Sequence, residues 1–255
     1  MKKDVVIFSN QKGGVGKTTL TRELGIYLAG RGRTVLLIDC DPQGNLTRGL
    51  TEEDDGLGLY EAIEGGALSF KNIKENLDLL SGDMRLSSLG KSLIGEIDAY
   101  LKLKELMYCE HFNKYELILL DTPPSLGVLT INALTAANYL VIPMRPALYT
   151  LQGTNDLMAA VAKVRKTLNP ELNLLGVIIN GYESIPVITQ ELTKEIEQSF
   201  KEKVFKTHLS KSIKLEEAIA ERQGVTELKK LDKSRAREEV FRIGAELLVR
   251  LGGGQ

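Results

Sequence analysis

The chain has 255 residues, 43% of them hydrophobic and 26% charged, with a formal net charge of −1. That length suffices for one large domain with a buried core, and the near-neutral balance gives no global field to attract a polyanion or an acidic membrane. Two cysteines, Cys40 and Cys109, exclude a disulfide framework and a zinc site and fit a reducing cytosol.

The N-terminus, MKKDVVIFSNQ, opens with Lys2 and Lys3, read as solvated charges ahead of a strand. The apolar run behind them stops well short of the roughly 7–15 residues of a signal peptide. No run approaches the ~18 needed to span a membrane. Six short apolar runs follow one another as strand candidates: 5–9, 34–39, 77–82, 116–121, 139–144 and 174–180. Their near-continuous hydrophobicity is that of parallel strands covered on both faces. Helical patterns lie between them at 17–30, 92–109, 126–137, 153–168 and 186–200, and Gly32 suits a left-handed helix end. This alternation predicts an α/β fold, a doubly wound and mostly parallel sheet flanked by helices. The stretch 51–58, TEEDDGLG, is expected to be a surface loop, and no repeat, linker or low-complexity tract is evident. Residues 1–255 therefore read as a single domain.

Between the first strand and the first helix stands SNQKGGVGKTT, residues 9–19. A glycine-rich turn between strand and helix is the setting of a phosphate-binding loop. Gly13, Gly14 and Gly16 let main-chain N–H groups, including that of Val15, converge on phosphate oxygens. The helix start, with Thr18 and Thr19, adds its positive end. Lys17 supplies a charge for the terminal phosphates, and the Thr18 hydroxyl suits Mg²⁺. Gln11 stands where the common loop pattern has its first glycine. Lys12 lies at the loop's outer edge, before the glycines turn the chain inward, so it can reach outward.

Asp39 and Asp41 close the second strand and Asp121 the fourth. Strand C-termini form the ligand-binding rim of an open parallel sheet. An Asp there can instead cap a turn, and Pro42 and Pro123 do mark turns. Asn180 ends the sixth strand; its amide is placed either to read a base edge or to serve the turn before Gly181. Residues 201–237 hold eleven Lys/Arg against six Asp/Glu, a solvated face or a polyanion-binding surface.

KGGVGKTT resembles the deviant Walker A motif of the ParA/MinD ATPases. LLIDCDPQGNLT (36–47) resembles their second motif, LILLDTPPSLG (117–127) their Walker B segment, and HLSKSIKLEEAIAERQG (208–224) their C-terminal segment. The likeness covers nearly the whole chain and is nearest to the chromosomal Soj-like branch. It implies ATP and Mg²⁺ as ligands, with Asp41 orienting the attacking water and Thr18, Asp39 and Asp121 holding the metal. Ser210 and Ser212 would approach the base, although many Soj-like members have PRN where this chain has Ser210-Lys211-Ser212. Lys12 would cross to a partner's phosphates, giving a homodimer with ATP at the seam.

On that likeness the ATP-bound dimer binds DNA without sequence preference, and a ParB-like activator triggers hydrolysis for chromosome or plasmid partition. The DNA-contacting candidates are Lys201, Lys203, Lys206, Lys211, Lys214, Lys233, Arg235 and Arg237. No cis arginine finger is evident, so unstimulated hydrolysis is expected to be slow. The protein is expected in the cytoplasm, associated with the nucleoid. The chain starts directly at its first strand, without a helix-turn-helix extension, which argues against operator-specific repression. Three other classes share the chemistry. A MinD-like membrane ATPase would need a basic amphipathic C-terminus, yet EEVFRIGAELLVRLGGGQ has Arg242 and Arg250 against Glu238, Glu239 and Glu246. It reads better as a helix packed on the sheet. An iron–sulfur reductase would need cysteines placed for a cluster. A relative positioning another cargo would differ only in its adaptor.

Overall fold

A computed structural model describes residues 3–53, 55–147, 150–182, 187–231 and 233–252. Lys2, position 54 of the expected loop, position 186 of an expected helix and the final three residues lie outside the described residues. Eight strands form the sheet: β1 (Asp4–Phe8), β2 (Val35–Asp39), β3 (Lys71–Lys74), β4 (Leu77–Leu80), β5 (Leu117–Asp121), β6 (Tyr139–Met144), β7 (Asn173–Tyr182) and β8 (Leu209–Ser210). Their order is β3-β4-β2-β5-β1-β6-β7-β8, parallel throughout except for the β3–β4 pair. The expected doubly wound, mostly parallel sheet is therefore found.

The helices are α1 (Lys17–Ala29), α2 (Asn45–Arg48), α3 (Leu59–Ile63), α4 (Leu86–Ser92), α5 (Lys102–Leu106), α6 (Val128–Ala136), α7 (Thr150–Thr167), α8 (Val187–Phe200), α9 (Ile213–Ala220) and α10 (Arg235–Gly252). Alternate side chains of each strand enter different layers, as the pleat requires. Val5 and Ile7 pack with α4 to α7 on one face; Val6 and Phe8 pack with α1, α9 and α10 on the other. The connections therefore cover both faces, which explains the unbroken apolar runs.

The single helix expected over 92–109 is not formed. Gly95 adopts φ +100°, a conformation no helix accommodates, and the chain divides into α4 and α5. Ile94 and Ile97, which helical periodicity would have buried, are exposed. β3 escaped notice because KNIK is polar and lies at the sheet edge, where one face meets solvent. Gly32 does take a positive φ, +81°, shortly after α1 ends. The segment 51–58 carries no strand or helix among its described residues, although the half-exposed Asp55 pairs with Lys71 at 2.9 Å.

α10 spends its apolar face in the core. Val240, Ile243 and Leu247 are fully buried, and Phe241 meets Tyr27 of α1 edge-on at 5.3 Å. A Cβ on Gly244 would stand 2.2 Å from Tyr27 Cδ1, so this glycine is what allows α1 and α10 to touch. Among the described residues no helix is long and apolar enough to cross a membrane.

Candidate active site

The loop between β1 and α1 sits where three central strands end. Asn10 fixes its base by donating from Nδ2 to Pro143 O (2.7 Å) and accepting the Lys12 N–H (3.1 Å). Gly14 and Gly16 take φ +69° and +91°, which the curl of the loop requires. Gly16 also caps α1 without a side-chain bond, leaving that helix start to its main-chain donors. A Cβ on Gly16 would fall 1.9 Å from Asn180 Nδ2, and that same amide donates to Val15 O at 2.7 Å. Asn180 is thus the strut between β7 and the phosphate loop.

Lys17 is 6% exposed, and its ammonium donates to Lys12 O at 3.2 Å. Burial lowers its pKa, while Asp121 and Asp41 oppose that shift. Thr18 Oγ1 donates to Asp121 Oδ2 at 2.6 Å. The other oxygen, Asp121 Oδ1, is buried with no hydrogen-bond partner among the described residues. A carboxylate oxygen left bare beside a threonine hydroxyl and an anion loop fits a hard divalent cation that retains part of its water shell. Asp39 and Asp121 are register partners on β2 and β5, so the carboxylates begin one strand spacing apart. Burial raises both pKa values, that of Asp39 to about 6, and their mutual proximity adds to the rise at Asp121.

Asp39 faces inward from the rim. Its Oδ2 accepts both the N–H and O–H of Thr47, at 2.9 and 2.8 Å, and its Oδ1 accepts Asp41 N–H at 3.1 Å. Thr47 Oγ1 in turn accepts Gly82 N–H at 3.0 Å. Asp39 therefore holds the segment that presents Asp41, whose Oδ1 accepts Gln43 N–H at 2.9 Å. Asp41 lines the cleft; Asp39 and Asp121 lie beneath it, fully buried.

The cleft encloses about 550 Å³. Gly13, Gly14, Gly16, Lys17, Thr18, Thr19 and Asp41 form one end. Asn180, Ser210, Lys211 and Ser212 form the other, with the apolar Leu215 and Ile219 of α9. Val15 is buried behind the loop, and Lys12 is half-buried outside the cleft wall. One end is thus built for polyphosphate and the other offers an apolar wall with hydrogen-bonding groups.

A family model described as an AAA domain matches residues 3–174. The chain is 38% identical to the chromosome-partitioning ATPase Soj of Treponema pallidum, covering 84% of this chain and 85% of that one. It is 39% identical to the Soj of Thermus thermophilus, covering 84% and 83%. This chain belongs to the Soj/ParA family. Its fold also matches a solved cobyrinic acid a,c-diamide synthase of Mycobacterium smegmatis with bound ADP and magnesium. There the TM-score is 0.85 and the identity 26%, over 100% of this chain and 97% of that one.

The eight basic candidates do not form one patch on this Soj/ParA chain. Lys211, Lys214, Lys233, Arg235 and Arg237 lie at or beside the starts of α9 and α10 in the chain, and of these Lys211 lines the cleft. Lys201, Lys203 and Lys206 gather at the far end of α10, where Arg250 Nη1 donates to Lys203 O (3.1 Å) and Glu246 Oε2 accepts Lys206 N–H (2.9 Å). Eleven steps of helical rise, about 16 Å, separate Glu239 from Arg250. Several of these cations are engaged: Lys214 with Glu217 (2.8 Å), Arg235 with Glu239 (2.7 Å), and Arg237 over the Phe241 ring (5.2 Å).

Four contributors escaped the sequence reading. Thr47 lies inside a motif already singled out, but its tie to Asp39 depends on the fold of the turn. Arg145, after β6, lines the cleft; its stem packs over Gly181, where a Cβ would approach Nε to 3.1 Å. An arginine of the same chain thus does stand in the cleft wall. The third is the buried pair Arg22–Glu23, and the fourth is Glu239. Cys40 is buried and its thiol pKa is pushed well up, by burial first. Cys109 Sγ lies 3.0 Å from His111 Nδ1, and among the described residues no group of three acidic, His or Cys side chains is placed to hold a metal.

Proposed function

We propose that this chain is a Mg-ATP-dependent partition ATPase whose cleft binds one nucleotide per subunit. The observation that carries the reading is the bare, buried Asp121 Oδ1 beside Thr18 at the foot of a lysine-bearing anion loop. Thr18 and Asp121 hold Mg²⁺, largely through its waters, while Asp39 acts through the Asp41 segment that it ties down. Held there, Mg²⁺ would supply neutralisation of the charge on the phosphates. Lys17 takes a phosphate oxygen in place of Lys12 O. Asp41 orients the attacking water, and Asn180 with the Ser210–Ser212 segment accommodates the adenosine. ADP and magnesium in the related synthase support this assignment.

Lys12 reaches a second copy of the chain, so ATP sits at a dimer seam and favours the dimer by mass action. The dimer binds DNA through phosphate contacts by the basic groups at the starts of α9 and α10, and a ParB-like partner stimulates hydrolysis. The protein acts in the cytoplasm on the nucleoid. The names of its Soj relatives support a chromosomal role; an adaptor for another cargo would use the same chemistry. Burial of the apolar face of α10 favours DNA over a membrane as the surface bound.

The test is DNA binding by wild type and Asp41→Ala with ATP, ADP or neither. Asp41→Ala should retain ATP-dependent binding and lose hydrolysis. Binding indifferent to nucleotide would refute the switch. Sedimentation of Lys12→Ala with ATP tests the trans contact: an undiminished dimer would refute it.

A further inference from the structure

Glu239, one turn into α10, is 6% exposed and does not line the cleft. Its two oxygens nevertheless accept three hydrogen bonds, all of 2.7 Å: Ser210 N–H on Oε2, Ser210 O–H on Oε1, and Arg235 Nε–H on Oε1. Two of the three go to a residue that lines the nucleotide cleft.

The segment needs such a hold. β8 is only two residues long and pairs with β7 at Asn180↔Leu209 and Tyr182↔Ser210 across a register shift. A ladder that short does not fix a loop. At the other end of the segment, Ser212 caps α9 by accepting Lys214 N–H at 3.2 Å. Ser210 to Ser212 is thus clamped from both sides, by a helix cap at one end and a buried carboxylate at the other. Burying a carboxylate is unfavourable unless its oxygens are occupied. Arg235, 64% exposed at its side chain, supplies the counter-charge from the surface. A purely structural staple between α10 and β8 could have been apolar like the rest of that face of α10. Here the polar valence is directed at Ser210.

We infer that Glu239 is a positioning residue for the nucleoside half of the cleft: it fixes Ser210–Ser212 so that this rim meets the base and ribose already ordered. The inference rests on the proposed reading of the cleft as a Mg-nucleotide site. Rigid pre-ordering raises affinity by removing the ordering cost from the binding step. The effect belongs to one end of the ligand, because the phosphate loop, Lys17 and Asp121 take nothing from Glu239.

The experiment is calorimetric titration of the full chain with Mg-ATP and, separately, with Mg-tripolyphosphate. Glu239→Ala removes both Ser210 bonds. Glu239→Gln retains them, since its amide oxygen can accept the Ser210 N–H and its amide can donate to Ser210 Oγ. Glu239→Ala should weaken ATP about tenfold or more and change tripolyphosphate by less than about twofold; Glu239→Gln should stay within about threefold of wild type for both. Equal losses for the two ligands would make Glu239 merely structural. ATP affinity unchanged in Glu239→Ala, or Glu239→Gln as weak as the alanine variant, would overturn the positioning role. Should Glu239→Ala fail to fold, Ser210→Ala must show the same ligand-selective loss at smaller size, and an unselective or absent loss refutes the inference. If wild type binds neither ligand, the nucleotide reading falls and this one with it.

Discussion

The Arg22–Glu23 pair joins the nucleotide loop to the C-terminal third of the chain, and its removal should be among the most damaging single changes. Arg22 is 1% exposed and Glu23 0%, and they form a salt bridge inside α1, five residues after Lys17. Arg22 also donates to Gly49 O (3.0 Å), Gln223 O (3.0 Å) and Ala218 O (3.3 Å). Glu23 Oε2 accepts Val225 N–H at 2.8 Å. One pair thus ties α1 to the end of α2 and to the turn after α9. Arg22→Met keeps the apolar stem but strands a buried carboxylate and leaves the carbonyls without this donor. Breaking a buried pair from one side costs about 3–5 kcal/mol. At about 2–4 °C per kcal/mol for a chain of this size, the melting temperature should fall by roughly 6–20 °C. Urea unfolding of wild type, Arg22→Met, Glu23→Gln and the double variant closes a cycle. The double variant should be more stable than the sum of the singles predicts, by about 1–3 kcal/mol, because the amide introduced by Glu23→Gln still accepts Val225 N–H and no buried charge is orphaned. A loss below about 1 kcal/mol for Arg22→Met, or strict additivity, would refute the argument.

Gly16→Ala meets a φ of +91° and an Asn180 amide 1.9 Å from its Cβ; it should destabilise by about 2–3 kcal/mol in urea, whereas Gly13→Ala, with open space around it, should stay within about 0.5 kcal/mol. Asp121→Asn removes a buried charge that has one unpartnered oxygen, so thermal melting without nucleotide should rise by the equivalent of about 1–2 kcal/mol while Mg²⁺ ceases to increase ATP affinity; a lowered melting temperature would contradict this. Glu239→Gln releases Arg235 from its counter-charge; the slope of log affinity for duplex DNA against log salt should steepen by up to about 0.9, one phosphate contact. His208 is held below its ordinary pKa by burial, against the pull of Glu197 and Glu239. Its neutral form is favoured by the fold, so its contribution is complete above an unfolded value of about 6.5 and is lost as pH falls below it. His208→Gln should reduce the drop in melting temperature between about pH 7.5 and about pH 5.5, values that bracket that unfolded pKa.

Six of the eight strands were legible because burial on both faces leaves nearly uninterrupted apolar runs, whereas the polar edge strand β3 and the two-residue β8 were not; the phosphate loop was legible because its glycines must occur at fixed offsets. Asp41 and Asp121 were legible because strand ends define the rim. The place of Asp39 at the end of β2 was legible, but its saturation by Thr47 was not, since that bond depends on how the turn after β2 folds back. Arg22–Glu23 left no trace in the sequence: within α1 they look like an ordinary surface pair, and their partners lie near residues 49, 218, 223 and 225. Glu239 was hidden for the same reason, 29 residues beyond the serine it holds. Gly95 shows the converse failure. Helical spacing on both sides of it suggested continuity, and one glycine with a positive φ ended the helix.

The two lysines of the loop are connected through the main chain. Lys17 Nζ donates to Lys12 O, and Lys12 N–H is held by Asn10, which itself anchors to β6 through Pro143. A phosphate oxygen taken up by Lys17 competes directly with the Lys12 carbonyl. The energetic balance favours the phosphate, because the ammonium is buried and an anion offsets the desolvation that lowers its pKa better than a neutral carbonyl does. The peptide that loses this bond belongs to the residue proposed to cross to the second subunit. On the proposed reading, nucleotide arrival is felt first at Lys12, through the bond that Lys17 gives up. An ammonium shared between one's own loop and the ligand is a sufficient local reason for phosphate binding and the outward lysine to be coupled.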